Sequence, residues 1–220
     1  AIIGRDLLPT GVLPLTTAIT VLRFGPKERL VIQRAGWSLP EEADVGQLAD
    51  YVTENGNPGN VKQVKTACLE LPLPFLRRGL EFVDTPGVGS SIEANTATTY
   101  AFLPQCDAVL FVTSVESPLT AGETDFLRTI RQHVGKIFFV ANKIDLLADG
   151  QRRQVLDFTR ATLCRHADAA DVRLFAVSAL LGLRSRLAGR DDDYRSSGLK
   201  DLEHTLIQFL ADEKSTTFLS

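Results

Sequence analysis

The feature that most restricts the fold of this sequence is an apolar run that ends in an acid and then a proline–glycine pair. Leu80-Glu81-Phe82-Val83-Asp84-Thr85-Pro86-Gly87 reads as a short buried strand. It delivers Asp84 at its carboxyl end, where open α/β sheets hold their ligands. Pro86 and Gly87 predict a bend there, and a glycine N–H with no side chain beside it can approach a ligand closely. Taken alone, Asp84-Thr85-Pro86-Gly87 is also compatible with an ordinary β-turn.

A second strand-end motif narrows the reading. Ile137-Phe138-Phe139-Val140-Ala141-Asn142-Lys143-Ile144-Asp145 again runs from apolar to polar, now in the pattern N-K-x-D, which resembles the guanine-reading signature of GTPases. The chemistry fits, because a carboxylate at Asp145 can accept from both the ring N–H and the exocyclic amine of guanine, and adenine offers no such pair of donors. Asn142 can brace neighbouring loops, and the stem of Lys143 can lie against the base. Phe175-Ala176-Val177-Ser178-Ala179 is a third strand, ending in S-A, where a backbone N–H is expected to meet the guanine oxygen.

Between these strands lie segments of helical period. Asn95–Phe102, Thr120–Val134, Arg152–Cys164 and Gly198–Ala211 read as helices, with Phe126, Leu127 and Ile130 on one inner face. Strands and helices taking turns predict an α/β fold, a mostly parallel sheet with helices on both faces. Nearer the start, Ala18–Phe24 and Arg29–Arg34 are expected to pair as a hairpin across Gly25-Pro26. Pro40-Glu41-Glu42 reads as a helix start, its acids serving as macrodipole partners, and Val61–Leu71 as a strand. Arg184–Arg195, with Asp191-Asp192-Asp193, reads as a solvated loop. His133, His166 and His204 fall on helices without partner spacing and receive no chemical role.

Composition limits the function classes. With 44% hydrophobic residues, 220 residues can bury one sizeable α/β core, and 1–220 is read as a single domain. A net charge of -3 gives no basic footprint for nucleic acid. No apolar run approaches the roughly 20 residues needed to span a bilayer, so the expectation is a cytoplasmic chain, peripheral at most to the inner face of a membrane. Cys68, Cys106 and Cys164 lack disulfide or zinc spacing. There is no Met at position 1 or elsewhere, and Ala1–Arg5 reads as the last turns of a helix already under way, so the chain is expected to be a fragment.

These motifs together resemble the GTPase domain of bacterial dynamin-like proteins. The resemblance spans nearly the whole chain and rests on L-L-P-T-G-V-L-P-L-T-T-A-I-T-V-L-R-F-G at 7–25, D-T-P-G-V-G-S at 84–90, F-L-P-Q-C-D-A-V-L-F-V at 102–112 and N-K-I-D-L-L at 142–147. The first is distinctive of the family; the others are shared with many GTPases. One departure is plain: the family's phosphate-cradling G-x-x-x-x-G-K-S/T loop is not among these residues. The chain is therefore expected to start just after that loop, lacking the first strand of the sheet, and to be inactive alone. In this class the missing strand lies between Leu80–Val83 and Ala108–Val112, so those two are expected not to pair.

The resemblance implies GTP and GDP as ligands and Mg²⁺ as cofactor. Thr16 or Thr17 would close over the γ-phosphate and metal as the first switch, Asp84 would reach the metal, and the Gly87 N–H would meet the γ-phosphate. Asn142, Lys143, Asp145, Ser178 and Ala179 would hold the guanine. Val88 stands where Ras-type enzymes place a water-orienting glutamine, so water positioning is expected from the absent loop, the switch threonine and a facing GTPase domain. The implied activity is GTP hydrolysis coupled to self-association, in a membrane-remodelling protein whose lipid contacts lie outside this chain. The alternatives are a ribosome-assembly or RNA-linked GTPase and a non-hydrolysing nucleotide-dependent interaction module.

Overall fold

A computed structural model describes residues 1–9, 16–87, 93–117 and 119–217. The chain divides into two compact units, Leu7–Leu103 and Pro104–Ser220 together with Ala1–Asp6.

The first unit is built on a five-stranded sheet. Its elements are β1 (Ile19–Phe24), β2 (Arg29–Arg34), β3 (Glu41–Ala43), α1 (Leu48–Val52), β4 (Val64–Leu71), β5 (Phe82–Asp84) and α2 (Glu93–Phe102). The strand order is β3-β2-β4-β1-β5. β4 takes the centre because Ala67, Leu69 and Leu71 alternate along it and are all buried. It runs parallel to β1 and antiparallel to β2.

The expected β1–β2 hairpin is thus not formed, since β4 separates the two strands. Residues 25–28 cross two strand spacings, roughly 9–10 Å, which four extended residues can reach. They do so tightly against the end of β4. The Gly25 N–H donates to the Leu71 carbonyl at 3.1 Å, and a Cβ on Gly25 would lie 2.6 Å from that of Glu70.

Glu41 and Glu42 begin no helix; they form β3, the edge strand beside β2. Their carboxylates pair diagonally across the ladder, Glu42 with Arg29 at 2.9 Å and Glu41 with Arg34 at 2.8 Å. The Tyr51 hydroxyl also donates to Glu41 at 2.9 Å. Helical structure starts only after Asp44, which forms a capping box with Gln47.

The second unit carries β6 (Ala108–Ser114), α3 (Ala121–His133), β7 (Lys136–Asn142), α4 (Asp149–Ala167), β8 (Leu174–Ala176), α5 (Ala179–Leu187), α6 (Asp191–Ser196) and α7 (Leu199–Thr217). Its three strands are all parallel, in the order β6-β7-β8. Phe138 to Ala141 of the central β7 are buried without alternation, as a strand covered on both faces requires. The α/β class with a parallel sheet and helices stands; β5 and β6 do not pair, as expected, and they belong to separate sheets.

Two segments depart from their sequence readings. Residues 184–195 are mostly helical, spanning the end of α5 and most of α6, with Asp191, Asp192 and Asp193 in the first turn of α6, where they complement the helix dipole. α6 is anchored by the buried Tyr194, whose hydroxyl donates to Glu203 at 2.9 Å and accepts from Arg186 at 2.8 Å. Ala1–Arg5 is no helix end but a turn, closed by the Gly4 N–H donating to the Ala1 carbonyl at 2.9 Å. Gly4 is left-handed there at φ +72°, and Arg186 also donates to the Ile2 carbonyl at 3.0 Å.

Candidate functional site

Motif residues gather at strand ends in each unit. In the second unit they surround Asn142, the last residue of β7, which is opposite Ser114 of β6 in register. The Asn142 side-chain oxygen accepts from the Lys143 N–H at 2.8 Å and from the Ala179 N–H at 3.0 Å. One amide thereby ties the N-K-x-D loop to the S-A motif at the start of α5.

Lys143 is left-handed at φ +67°, a conformation that costs a non-glycine residue roughly 1–2 kcal/mol. The following residue holds it there, because Ile144 is buried and its N–H donates to the Val177 carbonyl at 3.2 Å. The Lys143 ammonium pairs with Glu116, and that pairing holds the Glu116 carboxyl below the usual carboxylate range. Asp145 lies in the single turn Ile144–Leu146 with an exposed side chain. Among the described residues nothing hydrogen-bonds its carboxylate.

Ser178 is fully buried and caps α5, its Oγ accepting from the Leu181 N–H at 3.2 Å. Its own N–H donates to the Ser197 carbonyl at 2.8 Å. The residue after Ser197 is held closer still: a Cβ on Gly198, at φ +76°, would lie 2.1 Å from the Ala176 carbonyl oxygen. The structure therefore brings Asn142, Lys143, Ser178 and Ala179 together, with the Ala179 N–H engaged by Asn142.

In the first unit Asp84 closes β5 directly opposite Thr20 of β1, so the two side chains share a sheet face. Burial pushes the Asp84 carboxyl up to about 6, and among the described residues it has no hydrogen-bond donor. Thr20 is fully buried, and its hydroxyl also lacks a partner among those residues. Thr17 behaves alike: its N–H donates to the Val52 carbonyl at 2.7 Å while its hydroxyl is buried and unpartnered. Thr16 forms an isolated bridge with Thr53 and is the less buried of the two candidate switch threonines.

The bend expected at Pro86-Gly87 is not formed within the described residues. Gly87 is not left-handed, and Thr85–Gly87 has no regular structure. Pro86 is buried, and its carbonyl accepts from the Thr99 hydroxyl of α2 at 2.8 Å. Val88 and residues 10–15 lie outside the described residues.

Magnesium demands oxygen ligands and keeps several waters, so few protein groups suffice. Asp84 fits that demand, because desolvation disfavours its charge and a cation would restore it. Among the described residues no three His, Cys, Asp or Glu side chains form a metal cluster. Glu116 and Thr20 escaped the sequence reading. The signal for Glu116 is its place just beyond the carboxyl end of β6; Thr20 sits inside a strand and gives none. A cavity of about 550 Å³ lies at the other end of β7, lined by Lys136, Phe138, Arg131, Arg173 and Phe175 among others. Ligands of open α/β sheets bind at the carboxyl ends of strands, which argues against it as the site.

No helix of the described residues is long and apolar enough to cross a membrane. The model of the Dynamin family matches residues 1–144. An uncharacterized protein in the xynA 3′ region of Caldicellulosiruptor sp. is 38% identical over 96% of this chain and 52% of its own length. A bacterial dynamin-like protein of Nostoc punctiforme is 28% identical over 98% of the chain and 35% of its own length. This chain therefore spans between about a third and a half of these relatives. Among solved structures, a chain of an oligomerised bacterial dynamin pair superposes with a TM-score of 0.73 at 18% identity, covering 98% of this chain and 43% of that one. With the motifs at their strand ends and the family model over most of its length, the chain belongs to the dynamin family and corresponds to its GTPase domain.

Proposed function

We propose that this chain is the guanine-nucleotide-binding and hydrolysing domain of a membrane-remodelling dynamin-like protein, in which hydrolysis is coupled to pairing of GTPase domains. The observation that carries the reading is the Asn142 side chain, which joins the N-K-x-D and S-A motifs into one cluster beside the Asp145 carboxylate, unpartnered among the described residues. That cluster has the donors and acceptors a guanine edge requires. Asp145 accepts from the base, the stem of Lys143 flanks it, and Ala179 donates to its carbonyl oxygen once Asn142 shares that N–H. Ser178 positions Ala179 by capping α5.

At the phosphate end, Thr16 is the switch threonine, because the Thr17 hydroxyl is turned into the unit. Asp84 and Thr16 would hold Mg²⁺, which supplies charge neutralisation at the phosphates when bound. The Gly87 N–H donates to the γ-phosphate. Loss of that phosphate removes the contacts that order both segments. The phosphate-cradling loop is not among these 220 residues, so this chain contributes the base-reading and switch parts only. Self-association and membrane action are supported by a structural neighbour, an oligomerised bacterial dynamin pair described as sensing and tethering membranes.

The test is nucleotide competition in the full-length protein. Asp145→Ala should weaken GTP binding by roughly 1.5–3 kcal/mol for each charged hydrogen bond lost and should relax discrimination against ATP and XTP. An unchanged preference for GTP would remove Asp145 from the site.

A further inference from the structure

We propose that Thr99 is a positioning residue that aims the Gly87 N–H. This rests on the reading of Gly87 as the γ-phosphate contact. The carbonyl of Pro86 and the N–H of Gly87 belong to one planar peptide unit, which is trans, so they point in opposite directions and turn together. Whatever holds the carbonyl therefore sets the direction of the N–H.

The holder is the Thr99 hydroxyl, which donates to the Pro86 oxygen at 2.8 Å. Thr99 is 1% exposed and Pro86 is buried, so water does not compete for this bond, and its loss would leave a carbonyl unsatisfied away from solvent. Proline adds stiffness on the other side, since its ring fixes φ near -65°. Little else restrains Gly87. It is exposed, an added Cβ would meet nothing within 4 Å, and among the described residues its N–H has no acceptor. Among the described residues, the orientation of Gly87 thus has one determinant, the Pro86 carbonyl latched by a threonine 13 residues farther along the chain.

The latch explains why a threonine sits on the inner face of α2, where an apolar residue would pack equally well. It also couples α2 to the γ-phosphate, because a contact that fixes the Gly87 amide fixes the Pro86 carbonyl on Thr99 as well.

The experiment uses the full-length protein with Thr99→Val, which keeps the shape and removes the hydroxyl, Thr99→Ser, which keeps the hydroxyl, and Thr99→Ala in case valine disturbs folding. Affinities for GDP and a non-hydrolysable GTP analogue are measured with hydrogen exchange at Gly87. Thr99→Val and Thr99→Ala should bind the analogue about tenfold more weakly, the worth of one buried hydrogen bond, and GDP within about twofold of wild type. Thr99→Ser should match wild type for both. Equal losses for analogue and GDP, or no loss, would overturn the latch while leaving the γ-phosphate contact intact if wild-type Gly87 is protected by the analogue. Absence of that protection in the wild type would overturn the γ-phosphate reading and this proposal with it.

Discussion

Replacing Asp84 with asparagine is expected to stabilise the protein in the absence of nucleotide and metal, although Asp84 is assigned to the site. Burial raises its carboxyl from an ordinary 3.8 to about 6. The folded state thus holds the Asp84 proton more tightly than the unfolded chain does. The sign follows: folding loses stability as pH rises through this window, and the full penalty is present above pH 6. At ~1.36 kcal/mol per tenfold change in acidity, the penalty is about 3 kcal/mol, reduced somewhat because Asp84 is only partly buried. Asparagine keeps the shape and drops the charge. Urea unfolding in EDTA should therefore show the variant more stable by about 2 kcal/mol at pH 8, the difference shrinking through pH 6 and nearly gone at pH 4. Adding Mg²⁺ and GTP to the full-length protein should reverse the order. Equal stability at pH 8, or a difference that grows on acidification, would refute the claim that the charge is held at a cost.

Arg186→Met should lower stability by about 2–4 kcal/mol in urea titrations, because it strips Glu203, Tyr194 and the Ile2 carbonyl of their shared donor. Tyr194, pushed up to about 12 chiefly by burial, stays protonated when an unfolded tyrosine ionises near 10, so stability should fall as pH climbs from 10 to 12, and Tyr194→Phe should flatten that fall. Gly198→Ala should cost roughly 3 kcal/mol or more, since the methyl meets the Ala176 carbonyl in a left-handed backbone; a melting temperature within a degree or two of wild type would refute it. The 220 residues by themselves should bind GTP too weakly for calorimetry, because about four missing charge-assisted bonds at roughly 1.5–3 kcal/mol each exceed what a micromolar ligand has to lose.

What could be read in advance was whatever depended on a short window. The continuous apolar run of β7 identified a buried parallel strand, and an asparagine at its end was expected to brace loops, which it does. The errors came where a partner lies far along the chain. Val64–Leu71 displaces the local pairing of β1 with β2, and nothing near residue 25 announces it. Glu41 and Glu42 look like helix-opening acids until Arg29 and Arg34 stand across from them. Asp191–Asp193 look solvated, and they are, but the buried Tyr194 beside them makes a helix of the segment. Lys143 gives no hint of its left-handed backbone, which is imposed by the anchoring of Ile144 to Val177.

The central place of β4 also sets the order in which the first unit can assemble. β1 and β2 are made early and lie close in sequence, yet neither finds its main neighbour until residues 64–71 are available. The closing loop between Phe24 and Val64 carries an entropic toll that grows with the logarithm of its length, and parallel pairing of such separated strands is slow compared with hairpin formation. Refolding of this unit should lack a fast β1–β2 hairpin phase, leaving the β2–β3 pair as its local hairpin. During synthesis, β1 and β2 wait with open edges until β4 emerges, which makes that interval the one in which the nascent chain is most exposed to pairing with the wrong strand.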